Sequence, residues 1–339
     1  MTTCPSTLAE LSDLLNTLPQ SSSAAVKRVQ KRDQVLTKPP GALGRLEEIV
    51  EHLAKWQGEI GPRTKHVGVR VFAGNHGVAR QGVSAFPSDV TLQMVANFEA
   101  GGAAVNQIST VADASFGVIA LDLENPTEDF TSAPAMTEDA FIAAFAAGWD
   151  ATPIELDIIA IGEMGIANTT SAAAVAMALY GGEAIDWVGP GTGVKDEALA
   201  LKTRVVASAV DLHISETSDA LDVLRRLGGR ELVAMAGAIV RARCNHTVVL
   251  IDGYVAGAAA AALECATPGA LDHCLAAHVS AEPGHQLLLE KLDKQPLLNL
   301  GMRLGEASGA ALAIPIVRAA VACHTGMATF DTAGVTNKD

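Results

Sequence analysis

The sequence predicts an α/β fold: a doubly wound, mainly parallel sheet flanked by helices, with a small helical subdomain formed by both chain termini. Short apolar runs of strand length alternate with Ala-rich stretches of helix length along the 339 residues, and this alternation is typical of parallel β-α-β units. Glycine-bearing loops close several of the apolar runs. Because an open sheet binds its ligands beyond the carboxyl ends of its strands, we expect the functional site along one sheet edge.

The N-terminal region predicts two helices, at residues 6–32 and 43–58, separated by the helix breaker Pro39-Pro40-Gly41. The last strong helix and the tail after it complete the predicted helical subdomain. The predicted division is a small subdomain of residues 1–40 with 308–339 and a large α/β catalytic domain of residues 41–307.

The middle of the chain supplies the predicted sheet and the helices that cover it. The predicted strands are residues 66–73, 115–121, 156–161, 247–251 and 276–279. The predicted helices are residues 89–100, 103–110, 138–147, 170–179, 195–213, 218–227, 231–243, 256–265 and 308–324. Another helix opens at Pro283, because proline suits the first turn of a helix.

Composition and charge exclude several classes of protein. Apolar residues make up 49% of the chain and the formal net charge is -14, so we expect a packed globular protein and no nucleic-acid partner, because phosphates call for basic faces. We also expect no membrane span, since no run of about 18 apolar residues is free of polar interruption. The start of the chain resembles no signal peptide, and the five cysteines are widely scattered, so we expect a cytoplasmic location.

The loop FAGNHGV follows the first predicted strand and carries Asn75 and His76 between glycines. It is either a ligand loop or a capped turn whose histidine is satisfied internally, and the residues leave both open. Phe86 and Met94 follow it. They either line an apolar slot for a flat ring or belong to the core.

The segment GEMGIANTT places Glu163 directly after an apolar strand and ahead of Gly165, Asn168 and Thr169. Ligands of an open sheet bind at this place, near the N-terminus of the following helix. Glu163 could instead cap that helix, but the polar residues after it can fill this role. We therefore expect an active-site acid here.

Two further loops indicate an anion pocket. WVGPGTGVKDE carries three glycines ahead of a helix that contains Lys202, and HVSAEPGH carries Ser280, whose hydroxyl and backbone N–H would suit a phosphate. Lys202 on a solvated face is the alternative. His273 and His278 superficially suggest a metal site, but the spacing matches no structural zinc pattern, so we expect no metal.

The loop LGMRLGEASG brings Arg303 and Glu306 together between glycines, just ahead of Ser308 as a helix N-cap. Capping is again an alternative role for Glu306. An arginine, a carboxylate and a flexible backbone in one segment favour a site for an anionic substrate and a proton transfer. The residues alone thus predict group transfer on a phosphorylated metabolite, without naming it.

Taken together, the loops resemble the nicotinate-nucleotide–dimethylbenzimidazole phosphoribosyltransferases. The matching segments run in the family's order from about residue 37 to 335: TKPPGALGRLEE, FAGNHGV, GEMGIANTTSAAA, VGPGTG, LGGRELVAMAGA, IDGYV, HVSAEPGH, NLGMRLGEASGAALA and MATFDTAGV. The resemblance implies transfer of the phosphoribosyl group of nicotinate mononucleotide to 5,6-dimethylbenzimidazole in cobalamin synthesis, with inversion at the anomeric carbon. It also implies a homodimer that needs no cofactor.

The resemblance assigns a role to each candidate residue. Glu306 falls on the family's general base, and Glu163 falls on its second active-site acid. The positions implied for phosphate and ribose are Ser280, Lys202, Arg303, Gly165, Asn168 and Thr169. The positions implied for the aromatic base are Phe86, Met94, Met164 and Leu304. Because Phe86 and Met94 stand where some members carry polar groups, the preferred base stays open.

Two other classes are alternatives to this interpretation. A dinucleotide-dependent oxidoreductase would need GxGxxG opening the first helix and an acid about 20 residues later, and the sequence has neither. A nucleotide-binding regulatory module would keep the phosphate loops without needing Glu306.

Overall fold

The structure is a computed structural model that describes residues 2–217 and 219–336. Its sheet has five strands: β1 Val67–Ala73, β2 Ser115–Ala120, β3 Ile158–Met164, β4 Val248–Ile251 and β5 Cys274–Ala276. They lie in the order β2-β1-β3-β4-β5, and each neighbouring pair is parallel. The predicted parallel α/β sheet is therefore confirmed.

Helices connect and cover the strands. They are α1 Leu8–Leu15, α2 Ser23–Asp33, α3 Arg45–Gln57, α4 Asp89–Glu99, α5 Ala104–Val111, α6 Glu138–Asp150, α7 Asn168–Tyr180, α8 Ala184–Trp187, α9 Asp196–Ile214, α10 Ala220–Leu227, α11 Arg230–Cys244, α12 Tyr254–Ala266, α13 Pro283–Lys291, α14 Ser308–Gly326 and α15 Phe330–Ala333. Short 3₁₀ helices lie at Gly58–Ile60 and Gly77–Gln81.

Both faces of the sheet are buried. Along β3, Ile158 and Ala160 belong to one hydrophobic cluster, and Ile159 and Ile161 belong to the other. Residues of α6, α7 and α9 to α12 build the cluster on one face, and residues of α2, α3, α5 and α14 build that on the opposite face. Strands covered on both sides become nearly continuous apolar runs, which is why these strands were visible in the sequence.

The strand order creates a crevice at one point of the sheet. From β1 the chain crosses to β2 on one side, and it then returns to add β3 on the other side of β1. The connection that leaves the carboxyl end of β1 leads to β2 on one side, and the connection that leaves the carboxyl end of β3 leads to β4 on the other side. An open α/β sheet offers its ligand crevice at such a reversal.

Three predicted boundaries are wrong. The helix predicted at residues 6–32 is broken into α1 and α2 around Pro19, because proline removes a backbone donor and blocks the helical turn before it. The last strand is Cys274–Ala276 rather than 276–279, and His278 beyond it forms only an isolated bridge to Leu298. β3 continues past its predicted end at residue 161 to Met164.

The helix predicted at 218–227 is observed as α10, which Asp219 caps by accepting two backbone N–H groups. Ser218 lies outside the described residues, as do residues 337–339 of the predicted helical subdomain. Contacts join the two ends of the chain: Arg32 Nε donates to the backbone oxygen of His324 at 2.8 Å. The division into two subdomains stays a prediction.

One described helix, α14, is long and apolar enough to cross a membrane, and half of its apolar window is buried inside the protein. It packs against α3 and against strands β3 and β4. Length and composition of this kind are weak evidence of a span, because a core helix has the same properties.

Candidate active site

A cavity of about 440 Å³ opens at the carboxyl edge of the sheet. Its walls come from α4, the junction of β3 with α7, the glycine loop before α9, the start of α12 and the loops that follow β5 and precede α14. It therefore includes the crevice beside β3 that the strand order predicts.

The predicted site residues meet in this cavity, although they come from distant parts of the chain. Those that line it are Phe86, Met94, Glu163, Met164, Gly165, Asn168, Thr169, Ser280, Arg303, Leu304 and Glu306. Lys202 does not line it. The roles of all these residues stay predictions.

The segments that carry the two acids interlock beside the cavity. The backbone N–H of Glu306 donates to the backbone oxygen of Glu163 at 3.1 Å. This close approach depends on Gly162, because a Cβ there would collide with the backbone of Ala307. Glu306 and Ala307 have φ angles of 60° and 57°, a conformation that costs energy for a residue with a side chain and that clusters at functional sites. Packing between the two segments holds the carboxyl groups in place against this strain.

Neither acid caps the helix that follows it. The N-cap of α7 is Ala167 and the N-cap of α14 is Ala307. Ser308, predicted as an N-cap, is the first helical residue, and its Oγ donates to the backbone oxygen of Gly305 at 2.7 Å. Both capping alternatives and the predicted role of Ser308 are therefore wrong.

The environment raises the pKa of both carboxyl groups. Burial, together with the charge of Asp252, raises the pKa of Glu306 to about 7. Burial also raises the pKa of Glu163 well above its ordinary value, and the charges of Glu231, Asp252 and Glu306 add to this effect, while a hydrogen bond donated by Asn168 opposes it. Two carboxyl groups that share a cavity but have different surroundings can divide the tasks of acid and base.

A buried pair, Asp252 and His278, adjoins Glu306; the sequence analysis named His278 only as a superficial metal candidate and did not name Asp252. Asp252 directly follows β4 and is 2% exposed. Its Oδ1 accepts the backbone N–H of Ala310 at 2.8 Å and lies 3.4 Å from Nε2 of His278, which lines the cavity. The same signal that indicated Glu163, an acid directly after a buried strand, would have indicated Asp252.

Lys202 lies behind the cavity wall. It is 1% exposed, and its Nζ donates to Thr169 Oγ1 at 2.8 Å and to the backbone oxygen of Gly189 at 2.9 Å. Burial lowers its pKa to about 8, and the charge of Glu282 opposes that change. The solvated-face alternative is therefore wrong. Lys202 adjoins the cavity through Thr169, which lines it.

The glycine loop beside Lys202 is held from two directions. The backbone N–H of Gly191 donates to Glu282 Oε1 at 3.0 Å, and its backbone oxygen accepts from Arg303 Nη1 at 3.1 Å. These bonds orient the loop toward the cavity, which Gly191 and Thr192 line.

Ser280 has less to offer an anion than the sequence suggested. Its backbone N–H donates to Nδ1 of His285 at 2.8 Å, and its Oγ accepts the backbone N–H of Glu282 at 3.2 Å. The expected backbone contact to a phosphate is therefore wrong. The hydroxyl proton of Ser280 is the donor left for a ligand.

The apolar side of the cavity is open to solvent. Phe86 and Leu304 are 52% and 53% exposed, while Met94 and Met164 are half-buried. Large apolar side chains at the mouth of a cavity provide surface that a flat ring can cover.

His76 lies beneath the cavity, not in it. Its ring bonds to Glu231 and Ser171, and all three side chains are buried. The histidine is thus satisfied internally, as one of the two alternatives for the first loop expected.

Of the two histidines that suggested a metal, His273 is engaged away from the cavity, whereas His278 lines it. His273 Nε2 lies 3.0 Å from the backbone oxygen of Ile239, and burial holds the pKa of His273 well below its ordinary value. In the part of the chain that the structure describes, no group of three His, Cys, Asp or Glu side chains could hold a metal ion.

The fold and the cavity define an α/β enzyme of the group-transfer class, with two acids, a polar side and an apolar side at the reversal of its sheet. The chain belongs to the phosphoribosyltransferase family whose model matches residues 18–335.

Individual relatives agree with this assignment over nearly the whole chain. The chain is 56% identical over 328 residues to the nicotinate-nucleotide–dimethylbenzimidazole phosphoribosyltransferase of Cereibacter sphaeroides, with 97% of each chain covered. It is 57% identical over 330 residues to the protein of the same name from Ruegeria pomeroyi, with 97% and 98% covered. The crystal structure of the protein of that name from Thermus thermophilus superposes with a TM-score of 0.86 at 37% identity, covering 94% of this chain and all of that one. The family indicated by the sequence is confirmed.

Proposed function

We propose that the enzyme transfers the 5-phosphoribosyl group of nicotinate mononucleotide to 5,6-dimethylbenzimidazole, giving α-ribazole 5′-phosphate and nicotinate. The printed names of the relatives support this reaction. The observation that carries it is Glu306, a buried carboxyl group with a pKa of about 7 in a cavity that also has an apolar side.

The chemistry needs one base and no acid for the leaving group. A ring nitrogen of the benzimidazole attacks the anomeric carbon of the ribose and forms the new C–N bond. The bond to the pyridinium breaks, and its electron pair leaves with neutral-ring nicotinate. The attacking ring becomes cationic, so its other N–H proton must leave. Glu306 takes this proton, because a base whose pKa lies near the operating pH is both ionised and basic enough.

The polar side of the cavity suits the phosphate. Arg303 and the hydroxyl of Ser280 line it, and the ammonium group of Lys202 stands behind Thr169. The net charge of the whole chain is -14, so a phosphate depends on this local set of donors. Gly165 and Asn168 complete the side on which we place the ribose.

The apolar side suits the acceptor base. We place the benzimidazole against Phe86 and Met94, with Met164 and Leu304 as the other walls. None of these side chains selects a substituent by hydrogen bonding, so related benzimidazoles should also bind.

The proposed enzyme is a cytoplasmic homodimer with small-molecule substrates and no nucleic-acid partner. The family resemblance supports the dimer, and the acidic charge supports the absence of nucleic acid. Light scattering on the purified protein measures the oligomeric state directly.

The test is to mix the purified protein with nicotinate mononucleotide and dimethylbenzimidazole and to follow nicotinate release by chromatography. We expect release that requires both substrates, and an α-configured product by NMR would establish inversion. Glu306→Gln should abolish release while nucleotide binding persists. Nucleotide binding without release by the wild-type protein would favour a regulatory module, and full activity of Glu306→Gln would contradict the general-base role.

A further inference from the structure

A hydrogen-bonded cluster of three buried side chains lies beneath the cavity. His76 Nε2 is 2.5 Å from Glu231 Oε1, and His76 Nδ1 is 2.9 Å from Ser171 Oγ. The three residues come from the loop after β1, the first turn of α11 and the first turn of α7. Three separate elements are therefore tied together at one point.

The cluster is not a nucleophilic triad. Ser171 and Glu231 are 0% exposed and His76 is 1% exposed, so no substrate reaches the serine. Glu231 Oε2 is buried without a hydrogen-bond partner among the described residues. A buried carboxylate is costly to keep, and the early turns of α11 offset only part of that cost through the helix dipole. The arrangement therefore calls for a role other than stability.

Backbone contacts connect the cluster to the cavity wall. The backbone N–H of Gly74 donates to the backbone oxygen of Met164 at 3.0 Å. A Cβ at Gly165 would lie 2.7 Å from the backbone oxygen of Gly74 and 3.2 Å from Glu231 Oε1. Gly165 itself lines the cavity, two residues after Glu163. One layer of backbone thus separates the buried carboxylate from the active-site acid.

Helix α7 provides a second connection. Asn168, its first residue, donates its side-chain N–H to Glu163 Oε2, and Ser171, three residues later, bonds to His76. Residues three apart on a helix are neighbours on its surface. The first turn of α7 therefore bonds to Glu163 through Asn168 and to the buried cluster through Ser171.

We propose that His76 and Glu231 are positioning residues for Glu163: together they fix its wall and place a negative charge behind it, so that Glu163 acts as a neutral carboxyl group that donates a hydrogen bond to the substrate. Asn168 occupies Oε2 of Glu163, which leaves Oε1 to carry the proton. The inference rests on the proposed function. In it the two acids have different roles: ionised Glu306 accepts the proton of the attacking base, and neutral Glu163 donates a hydrogen bond to the substrate.

The negative charges around Glu163 favour its protonated form. Glu231 from α11, Asp252 after β4 and Glu306 before α14 are the acids that act on it, and all oppose its ionisation. The titratable neighbours of these acids are His76, which bonds to Glu231, and His278, which faces Asp252. Removing the charge of Glu231 should therefore make Glu163 ionise at lower pH. The pKa of Glu306 is raised by burial and Asp252, so Glu306 should not follow.

The experiment measures kcat for nicotinate release against pH in the wild type, Glu231→Gln, Glu163→Gln and the double variant. Because the substrates are saturating, loss of the Lys202 proton, which weakens nucleotide binding, changes KM and does not change kcat. We expect Glu231→Gln to move the alkaline limb of kcat to lower pH, with about tenfold loss at a fixed alkaline pH, and to leave the acid limb in place. Glu163→Gln, a neutral donor, should remove the alkaline limb, and adding Glu231→Gln to it should change kcat by less than about twofold.

Asp157→Asn is the matched control. Asp157 is also a buried acid with several donors, but it precedes β3 at the end opposite Glu163. It should lower the unfolding temperature without moving either pH limb. An equal loss from Glu231→Gln at all pH values and in both backgrounds would show a merely structural role and overturn the proposal.

If Glu231→Gln does not fold, His76→Gln replaces it in the same cycle, because glutamine cannot hold Glu231 and Ser171 together. A coupling of about threefold or more with Glu163→Gln supports the proposal, and additive effects overturn it. Absence of nicotinate release from the wild type would instead overturn the proposed function, and the inference with it.

Discussion

Replacing the proposed general base should make the protein more stable. In Glu306→Gln the carboxyl group becomes an amide of nearly the same shape, so the cavity and the unusual backbone stay as they are. What disappears is the cost of ionising a group that is 7% exposed and stands near Asp252. Proteins commonly lose stability by keeping strain and unfavourable charge that their activity needs, so removing such a charge can raise stability while it abolishes activity.

The magnitude follows from the pKa. Folding raises the pKa of Glu306 from 4.5 to about 7, and one pKa unit corresponds to about 1.4 kcal/mol, so ionising Glu306 costs the folded state roughly 3 kcal/mol. The folded state binds the proton more tightly than the unfolded chain. Stability therefore falls as the pH rises from 4.5 to about 7, and the full cost is present above that.

The assay is urea unfolding of wild type and Glu306→Gln at a series of pH values. Below the lower pKa the two proteins should have similar free energies of unfolding. Above the higher pKa the variant should gain up to about 3 kcal/mol. Glu99→Gln, an exposed glutamate at the end of α4, is the control and should change stability by less than about 0.5 kcal/mol at every pH.

A variant that is no more stable than wild type above the pKa of Glu306 would refute the reasoning. So would a gain of the same size at every pH, since that would come from packing and not from ionisation.

Four further predictions concern residues in the cavity or beside it. Asp252→Asn should move the acid limb of kcat to lower pH, because one cause of the raised pKa of Glu306 is gone, and a pH–rate profile measures this. Lys202→Met should raise the KM for the nucleotide roughly tenfold or more, because the positive charge behind Thr169 on the proposed phosphate side is lost. Wild-type nucleotide affinity should also fall above pH of about 8 as Lys202 loses its proton, which calorimetry across that pH would detect. Phe86→Ala should raise the KM for the benzimidazole by about three- to tenfold while kcat changes little, because Phe86 is half exposed and contributes apolar contact only.

Much of the fold could be predicted because its signals are local. A buried parallel strand is a short apolar run, and β1, β3 and β4 were found for that reason. β5 has only three residues, too few to fix its register against its neighbours. The break between α1 and α2 had a visible cause in Pro19, but the helical pattern on both sides of it outweighed that signal.

The candidate site was only partly predictable. Acids at strand ends and glycine loops indicated Glu163 and Glu306, whereas Glu231 lies on a helix and carries no such signal. Lys202 could not be distinguished from a surface lysine, because the partners of its ammonium group, Thr169 and Gly189, lie in earlier parts of the chain that only folding brings beside it. The backbone N–H of Ser280 is occupied by His285 of the same segment, a contact that depends on the turn into α13 and that the residue types alone do not indicate.

Local patterns of residues were enough to predict most of the strands, the loops that follow them, the family and the kinds of chemical group at the site, because these depend on residues that are neighbours in the chain. The strand order, the meeting of Glu163 with Glu306 and the raised pKa of both carboxyl groups arise only on folding. That last property depends on burial and on charges brought in by β4 and α11. Interactions of this kind act through space between residues far apart in the chain, so only the folded arrangement fixes them.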